Sequence, residues 1–449
     1  MPNGGTLSAG SASLSFFPHW ITSEARVSRV LWLGDAGCST GFGIATHGIG
    51  DRLVTQYDHD VHVLAINYKG DHFPTSMKLY RPDLVKAGDI YGTSRIVEML
   101  GKIGPDVTVI LNDPYIILRL LFRNQFDKSL ILARYAPLLA YMPVDGTNFP
   151  SDWARMPELV AEVEPLPARP APSMIPVAMS KHGTTLFPQA PVIPHGIDSK
   201  TFRPLSVADP IVSSSGDILT SKRDAKKLLQ LPDDSILVLR VDRNSFRKNF
   251  ADTWKALVPV MHENPNVHVW FHCKIEGDDV ELAQVVSRDM AIADRFHWPA
   301  DLNTWSGWSL QDLVAVYNAA DIFVSTSMGE GFGLTLGEAA ACGLPIVAQN
   351  VSSIPEVVGP GGILLEPERL YTPHSGEDQW LPNVEAFTDA IRMLVNSPGA
   401  RRELGEAGRK HVVESFSWDD AARRFHELIT AVGEKNSRSP ISATAGGAQ

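Results

Sequence analysis

Short apolar runs alternate with helical stretches along most of this chain, and no other feature restricts the fold as much. Val30–Gly34, Val61–Ile66, Asp106–Asn112, Leu138–Met142 and Ile175–Met179 form a first series. Ile236–Val241, Val267–Phe271, Ile322–Ser325 and Ile346–Ala348 form a second. Runs of this kind predict strands buried on both faces, and the helices between them are the crossovers that parallel pairing needs. Between the two series lie Arg203-Pro-Leu-Ser-Val-Ala-Asp-Pro210 and Ser213-Ser-Ser-Gly216, a composition suited to a linker. The expected organisation is an α/β protein with domains at 26–204 and 221–415, a linker at 205–220 and a helix at 416–434. Residues 1–25 and 435–449, rich in Gly, Ser and Ala, are expected to be disordered.

Composition removes several function classes. The 449 residues carry a formal charge of −11, from 40 basic and 51 acidic side chains, so a broadly basic nucleic-acid coat is excluded. Cys38, Cys273 and Cys342 are odd in number and widely spaced, which builds neither a disulfide framework nor a structural zinc site. They read as buried thiols of a reducing compartment. No apolar run reaches the ~18 residues of a membrane span, and Met1–Ser15 lacks the basic residues of a signal peptide. A soluble, cytoplasmic protein is expected. Asp58-His59-Asp60 precedes a strand instead of following one and is rejected as a metal site. His268 and His272 alternate along one strand and read as packed or edge residues, so no metal is expected.

The densest chemistry lies in Ser325-Thr-Ser-Met-Gly-Glu330-Gly-Phe-Gly-Leu-Thr-Leu-Gly-Glu338-Ala-Ala-Ala-Cys-Gly-Leu-Pro-Ile-Val-Ala348. A strand ends at Ser325, a glycine-rich turn follows, and then a helix begins. Gly329, Gly331 and Gly333 let the backbone approach a ligand closely. The first N–H groups of the helix are unpaired and partly positive, which suits a phosphate. Glu330 and Glu338 stand eight residues apart. Carboxylates accept hydrogen bonds well from the paired hydroxyls of a sugar or a ribose. Taken alone, Glu330 also reads as a solvated loop acid, and Glu338 as a favourable acid in a helix's first turn.

This stretch resembles the donor-binding signature of retaining glycosyltransferases of the GT-B fold, most closely glycosyltransferase family 4, in which two glutamates flank seven residues and Gly-Phe-Gly follows the first. The resemblance implies two Rossmann-like domains with parallel sheets facing across a cleft. It also implies that Glu330 meets hydroxyls of the transferred sugar, Glu338 binds the ribose, and Gly331, Phe332, Gly333 and Leu334 line the donor site. Family members carry Arg and Lys five residues apart after the first strand of this domain, gripping the donor diphosphate; here these are Arg243 and Lys248, with Arg247 as a rival to Lys248. Asp242 replaces the family's usual Gly, and His195, within Pro191–Pro204 before the linker, replaces its usual Asn. The segment Phe416-Ser-Trp418 resembles the start of the family's last helix, which crosses back to the first domain.

The first domain matches less closely. The loop Gly37–Gly43 resembles the family's cleft-facing loop, which implies that Gly41 and Gly43 approach the donor. Its Gly-x-Gly is too short for the full dinucleotide fingerprint. Asp145 stands where many members have His; it either orients a sugar or caps a turn with Gly146. Asn112-Asp113 and Ser180-Lys181 follow strands and point at the expected cleft. The first domain is neutral, with 17 basic and 17 acidic residues between 26 and 200. Arg119, Arg123, Lys128 and Arg134 make a local basic cluster, either a solvated helix face or a contact for phosphates of DNA or lipid.

The implied reaction moves a sugar from a nucleotide-diphosphate sugar, a UDP-sugar being favoured, to an acceptor hydroxyl with retention of configuration. Glu330 and Asp145 are the candidate catalytic residues, and no cofactor or metal is expected. Thr40–His47 and Ala65–Asp71 resemble phage-encoded members of the family, which points to modified DNA or a protein of a phage as acceptor; a glycan or lipid is the other acceptor left open. A sugar phosphorylase or epimerase on the same scaffold, or a non-catalytic sugar-nucleotide binder, are the alternatives.

Overall fold

A computed structural model describes residues 27–83, 86–121, 135–164, 171–276, 281–299 and 308–437. The first domain is a sheet of six parallel strands: β1 (Arg29–Asp35), β2 (Asp60–Ile66), β3 (Lys78–Tyr80), β4 (Val107–Leu111), β5 (Leu138–Met142) and β6 (Met174–Ala178). Their spatial order is β3-β2-β1-β4-β5-β6. The stretch expected to be a linker carries a small antiparallel hairpin, β7 (Ile211–Val212) with β8 (Ile218–Leu219). The second domain repeats the first sheet with β9 (Ile236–Val241), β10 (Val267–His272), β11 (Phe296–His297), β12 (Ile322–Ser325), β13 (Ile346–Gln349) and β14 (Gly362–Leu365), in the order β11-β10-β9-β12-β13-β14. A second hairpin, β15 (Arg369–Tyr371) with β16 (Gln379–Leu381), follows β14.

The central strands are those the apolar runs announce. In β4, β5 and β12 every residue is buried, as sheets covered on both faces require. β3, β11 and β14 lie outside the strands expected from sequence. The first two are only three and two residues long, and β14 is half-buried throughout, so edge position blurs their patterns.

The last helix, Trp418–Ser437, packs on the first domain, against the helix Gly41–Thr55. Phe425 meets the rings of Trp32 and Tyr141, and Asp419 pairs with Arg52 at 2.7 Å. The helix runs three residues beyond the expected start of the disordered tail at 435; residues 1–26 and 438–449 lie outside those described. A hydrophobic cluster joins the domains through Ile193, Ile197, Phe332, Trp418 and Phe425. The carboxyl ends of the two sheets therefore face each other, and ligands of parallel α/β sheets bind at such ends, where the strand order reverses.

Candidate active site

The second domain supplies most of the charge. After β9 the chain passes through Asp242 and Arg243 to a short turn, Phe246–Lys248, and then a helix from Phe250. Lys248 Nζ lies 2.6 Å from Glu330 Oε1 and 2.7 Å from Asp242 Oδ1. Arg247 Nη1 lies 3.2 Å from Glu330 Oε2, and its Nε lies 3.0 Å from Asp145 Oδ2 of the first domain. Arg247 also donates to the Gly329 carbonyl. It thus joins the two candidate catalytic carboxylates and stands with Lys248 at the centre of the cleft. Arg243 is exposed, and its charge acts on Asp35 and Asp113 across the cleft.

Burial alone would raise the Glu330 carboxyl. The adjacent Lys248 and Arg247 reverse this and hold it well below the usual carboxylate range, so it is ionised at neutral pH. Ser352 Oγ accepts from the Glu330 N–H at 2.8 Å, and Ser353 Oγ donates to the Glu330 and Phe332 carbonyls at 2.7 and 2.9 Å. Gly333, at φ +97°, turns the chain into the helix Leu334–Ala341, which has no side-chain cap. Glu338 is buried inside that helix and accepts from the Tyr317 hydroxyl at 2.7 Å. Burial, with the nearby charge of Asp242, pushes its carboxyl up to about 7 despite that hydrogen bond.

Two of the turn's glycines admit something other than a ligand. A Cβ on Gly329 would lie 1.8 Å from the Asp145 carbonyl oxygen, and one on Gly331 would lie 2.3 Å from Pro143 Cβ. They let this loop press against the strand end of the opposite domain. Phe332 turns away from the cleft into the interdomain core, between His195 and Phe416. Leu334 faces Gly41, where an added Cβ would lie 3.7 Å from Leu334 Cδ1. Gly43 packs under the loop: its N–H is capped by Thr40 Oγ1 at 3.0 Å, and a Cβ there would strike the Cys38 carbonyl.

From the first domain, the Asp145 carboxylate reaches across to Arg247. Asp113, at the end of β4, is half-buried; burial and the Asp145 charge push it up to about 6. Lys181 and His182 use their backbone N–H groups, each donating at 2.8 Å to the Glu356 carboxylate of the second domain. Arg119 is exposed, and the other residues of the basic cluster lie outside those described. His195 is buried, and neither ring nitrogen has a hydrogen-bond partner among the described residues. Asp60 is held by Lys78 and His62, and His59 by His426. Among the described residues, no three His, Cys, Asp or Glu side chains are grouped to hold a metal ion.

Arg240, Ser352 and Ser353 position this site and were not singled out from sequence. Arg240 is fully buried in β9, lies 4.4 Å over the Phe250 ring and donates to Thr326 Oγ1 at 2.6 Å and to the Lys248 carbonyl. It ties the cationic turn to the end of β12. The signal was a guanidinium inside an apolar run, where burial demands partners. The two serines had no local signal, because their partners lie more than twenty residues away.

Solved structures show the same architecture. Sucrose-phosphate synthase from Thermosynechococcus elongatus superposes with a TM-score of 0.64 at 18% identity, covering 91% of this chain and 100% of that one. WaaG, a glycosyltransferase involved in lipopolysaccharide biosynthesis, gives 0.61 at 14% identity, covering 89% and 99%. The fold is GT-B. Residues 237–397 match the family Glycosyl transferases group 1. MMP alpha-(1->4)-mannosyltransferase of Mycolicibacterium hassiacum is 32% identical over 47% of this chain and 50% of its own. D-inositol 3-phosphate glycosyltransferase of Segniliparus rotundus is 28% identical over 57% of this chain and 50% of its own. The chain thus spans about half the length of the curated relatives it matches. No helix among the described residues is long and apolar enough to cross a membrane.

Proposed function

We propose that this GT-B chain is a retaining, metal-independent glycosyltransferase, moving a sugar from a nucleotide-diphosphate sugar to an acceptor hydroxyl. One observation carries the reading: an ionised, buried Glu330 held by Lys248 and Arg247 beside an uncapped helix start, facing Asp145 across the cleft. Three cations around a cleft are suited to a diphosphate. Lys248, Arg247 and Arg243 would neutralise the charge that grows as the nucleotide leaves, together with the N–H groups of helix 334–341. That supply of positive charge takes the part a divalent ion plays elsewhere. Glu338 and Tyr317 would bind the ribose, Glu330 the hydroxyls of the transferred sugar, and a UDP-sugar is the donor proposed.

Retention follows if the acceptor attacks on the face that the nucleotide leaves. The anomeric carbon–phosphate oxygen bond breaks, the acceptor oxygen bonds to that carbon, and the departing phosphate oxygen takes the acceptor's proton. Asp145 would orient the reacting partners, and the close contact of Gly329 and Gly331 with the first domain would exclude water. The test is release of nucleotide diphosphate from a panel of UDP-, GDP- and ADP-sugars, with and without cell extract as acceptor. Release from one donor, with retained configuration in the product, supports the reading. No release and no thermal stabilisation by any nucleotide overturns it.

A further inference from the structure

We propose that the acceptor is an uncharged polyhydroxyl molecule seated between Asp113 and Asp145 of the first domain and Glu377 of the second, a seat that refuses phosphate-bearing acceptors. The inference rests on the glycosyl-transfer reading for the word acceptor, but the seat can be tested without turnover.

The hairpin β15–β16 reaches out of the second domain, and its turn docks on the loop after β5. Thr147 and Asp378 exchange backbone hydrogen bonds of 2.8 and 2.7 Å, and Asn148 Nδ2 donates to Asp378 Oδ2 at 2.8 Å. Glu377 is thereby brought over Gly146, next to Asp145; a Cβ on Gly146 would lie 2.6 Å from Glu377 Cγ. Glu377 is only 4% exposed. Its Oε1 accepts from Ser375 Oγ at 2.9 Å and Gln379 Nε2 at 3.1 Å, while its Oε2 is buried with no hydrogen-bond donor among the described residues. A buried carboxylate oxygen without a donor is costly unless something supplies one.

The surroundings say what that is. Burial first, then the charges of Asp113, Asp145 and Glu377, push the hydroxyl of Tyr115, which is 40% exposed, up to about 12; burial and Asp113 raise that of half-buried Tyr91. Carboxylates that accept O–H groups, with phenol rings nearby, match a sugar or polyol. Asp145 shares Arg247 with Glu330. With a diphosphate bound, Arg247, Arg243 and Lys248 serve its charge, and three carboxylates are left facing the acceptor. A phosphate on the acceptor would meet them in a water-poor cleft, where like charges repel strongly.

The test is equilibrium binding, by calorimetry on the intact protein with UDP present, of methyl glucoside, mannoside and galactoside against the 6-phosphates of the same hexoses. At least one methyl hexoside is expected to bind about tenfold more tightly than its 6-phosphate counterpart. Glu377→Gln should weaken that hexoside about tenfold, the loss expected for one charge-assisted hydrogen bond, and leave UDP affinity unchanged. Glu377→Lys should reverse the order of preference. Tighter binding of the 6-phosphates to the wild type, no binding of any methyl hexoside, or a preference unmoved in both variants overturns the proposal. UDP-dependent thermal stabilisation reports folding of the variants and tests the donor reading on its own. Its absence alongside the expected hexoside preference would remove the donor reading and leave the seat standing.

Discussion

The two domains share one strand order and use it differently. In the second, the ends of β9 and β12 carry Asp242 to Lys248 and Gly329 to Gly333, and the charged groups bind one another. In the first, the ends of β1, β4 and β5 carry Thr40, Asp113 and Asp145, joined by few local contacts and completed from the opposite domain by Arg247 and Glu377. The second-domain half is therefore built from two short segments of one sheet, each of which a local motif can encode. The facing half is an interface, and its chemistry depends on which residues the second domain presents to it.

Removing the central donor-side carboxylate should have the largest effect. Glu330→Ala is expected to lower transfer by roughly 10³-fold, in line with loss of a preorganised charge, while nucleotide binding measured by calorimetry survives. Near-normal turnover would show that the donor half does not depend on Glu330. Next comes Gly329→Ala, which drives a Cβ into the Asp145 carbonyl oxygen. Transfer should fall about 100-fold through misplacement of the two halves, with nucleotide affinity unchanged because the clash lies at the interface. If nucleotide affinity falls as far as transfer, the two halves are not separable in this way.

A smaller, pH-dependent effect belongs to the donor half alone. Glu338 keeps its proton in the folded chain up to about 7 and loses it near 4.5 when unfolded. The folded state thus binds more protons between those values, so this group's contribution to stability declines as pH rises through that window. Melting temperature should drop between pH 4.5 and 7 more steeply in the wild type than in Glu338→Gln. Parallel profiles would mean that Glu338 titrates normally. The smallest effect is at the helix that ties the halves together: Asp419→Asn loses an exposed ion pair to Arg52 and should cost no more than about 1 kcal/mol by denaturant titration. A much larger loss would make that helix a principal support of the first domain.

Legibility followed the same division. The central strands could be read because full burial on both faces leaves unbroken apolar runs, whereas β3 and β11 are too short to leave a pattern. Glu330 and Glu338 stood out because one motif packs turn, helix start and acids into consecutive residues, and Arg243 and Lys248 because a second short motif holds both cations just after β9. Arg247 entered only as a rival, and its central place became visible once Asp145 and Glu330 were seen on either side of it. Phe332 and Gly43 sat inside motifs, yet one serves the interdomain core and the other the underside of a loop. Spacing along a chain does not say which way a side chain faces across a domain boundary.

By itself, the sequence determined two parallel α/β units, the turn at Gly329–Gly333 and the candidate charged groups of the second domain. The units rest on periodicity, and the turn and charged groups on short motifs, which are properties of a local segment. Tertiary structure alone decided that Arg247 joins Asp145 to Glu330, that Glu377 comes to rest over Gly146, and that two glycines serve the meeting of domains. Those pairings span from about eighty to more than two hundred residues: the neighbouring strands β9 and β12 bring Arg247 to Glu330, and the docking of the two domains brings the rest within reach.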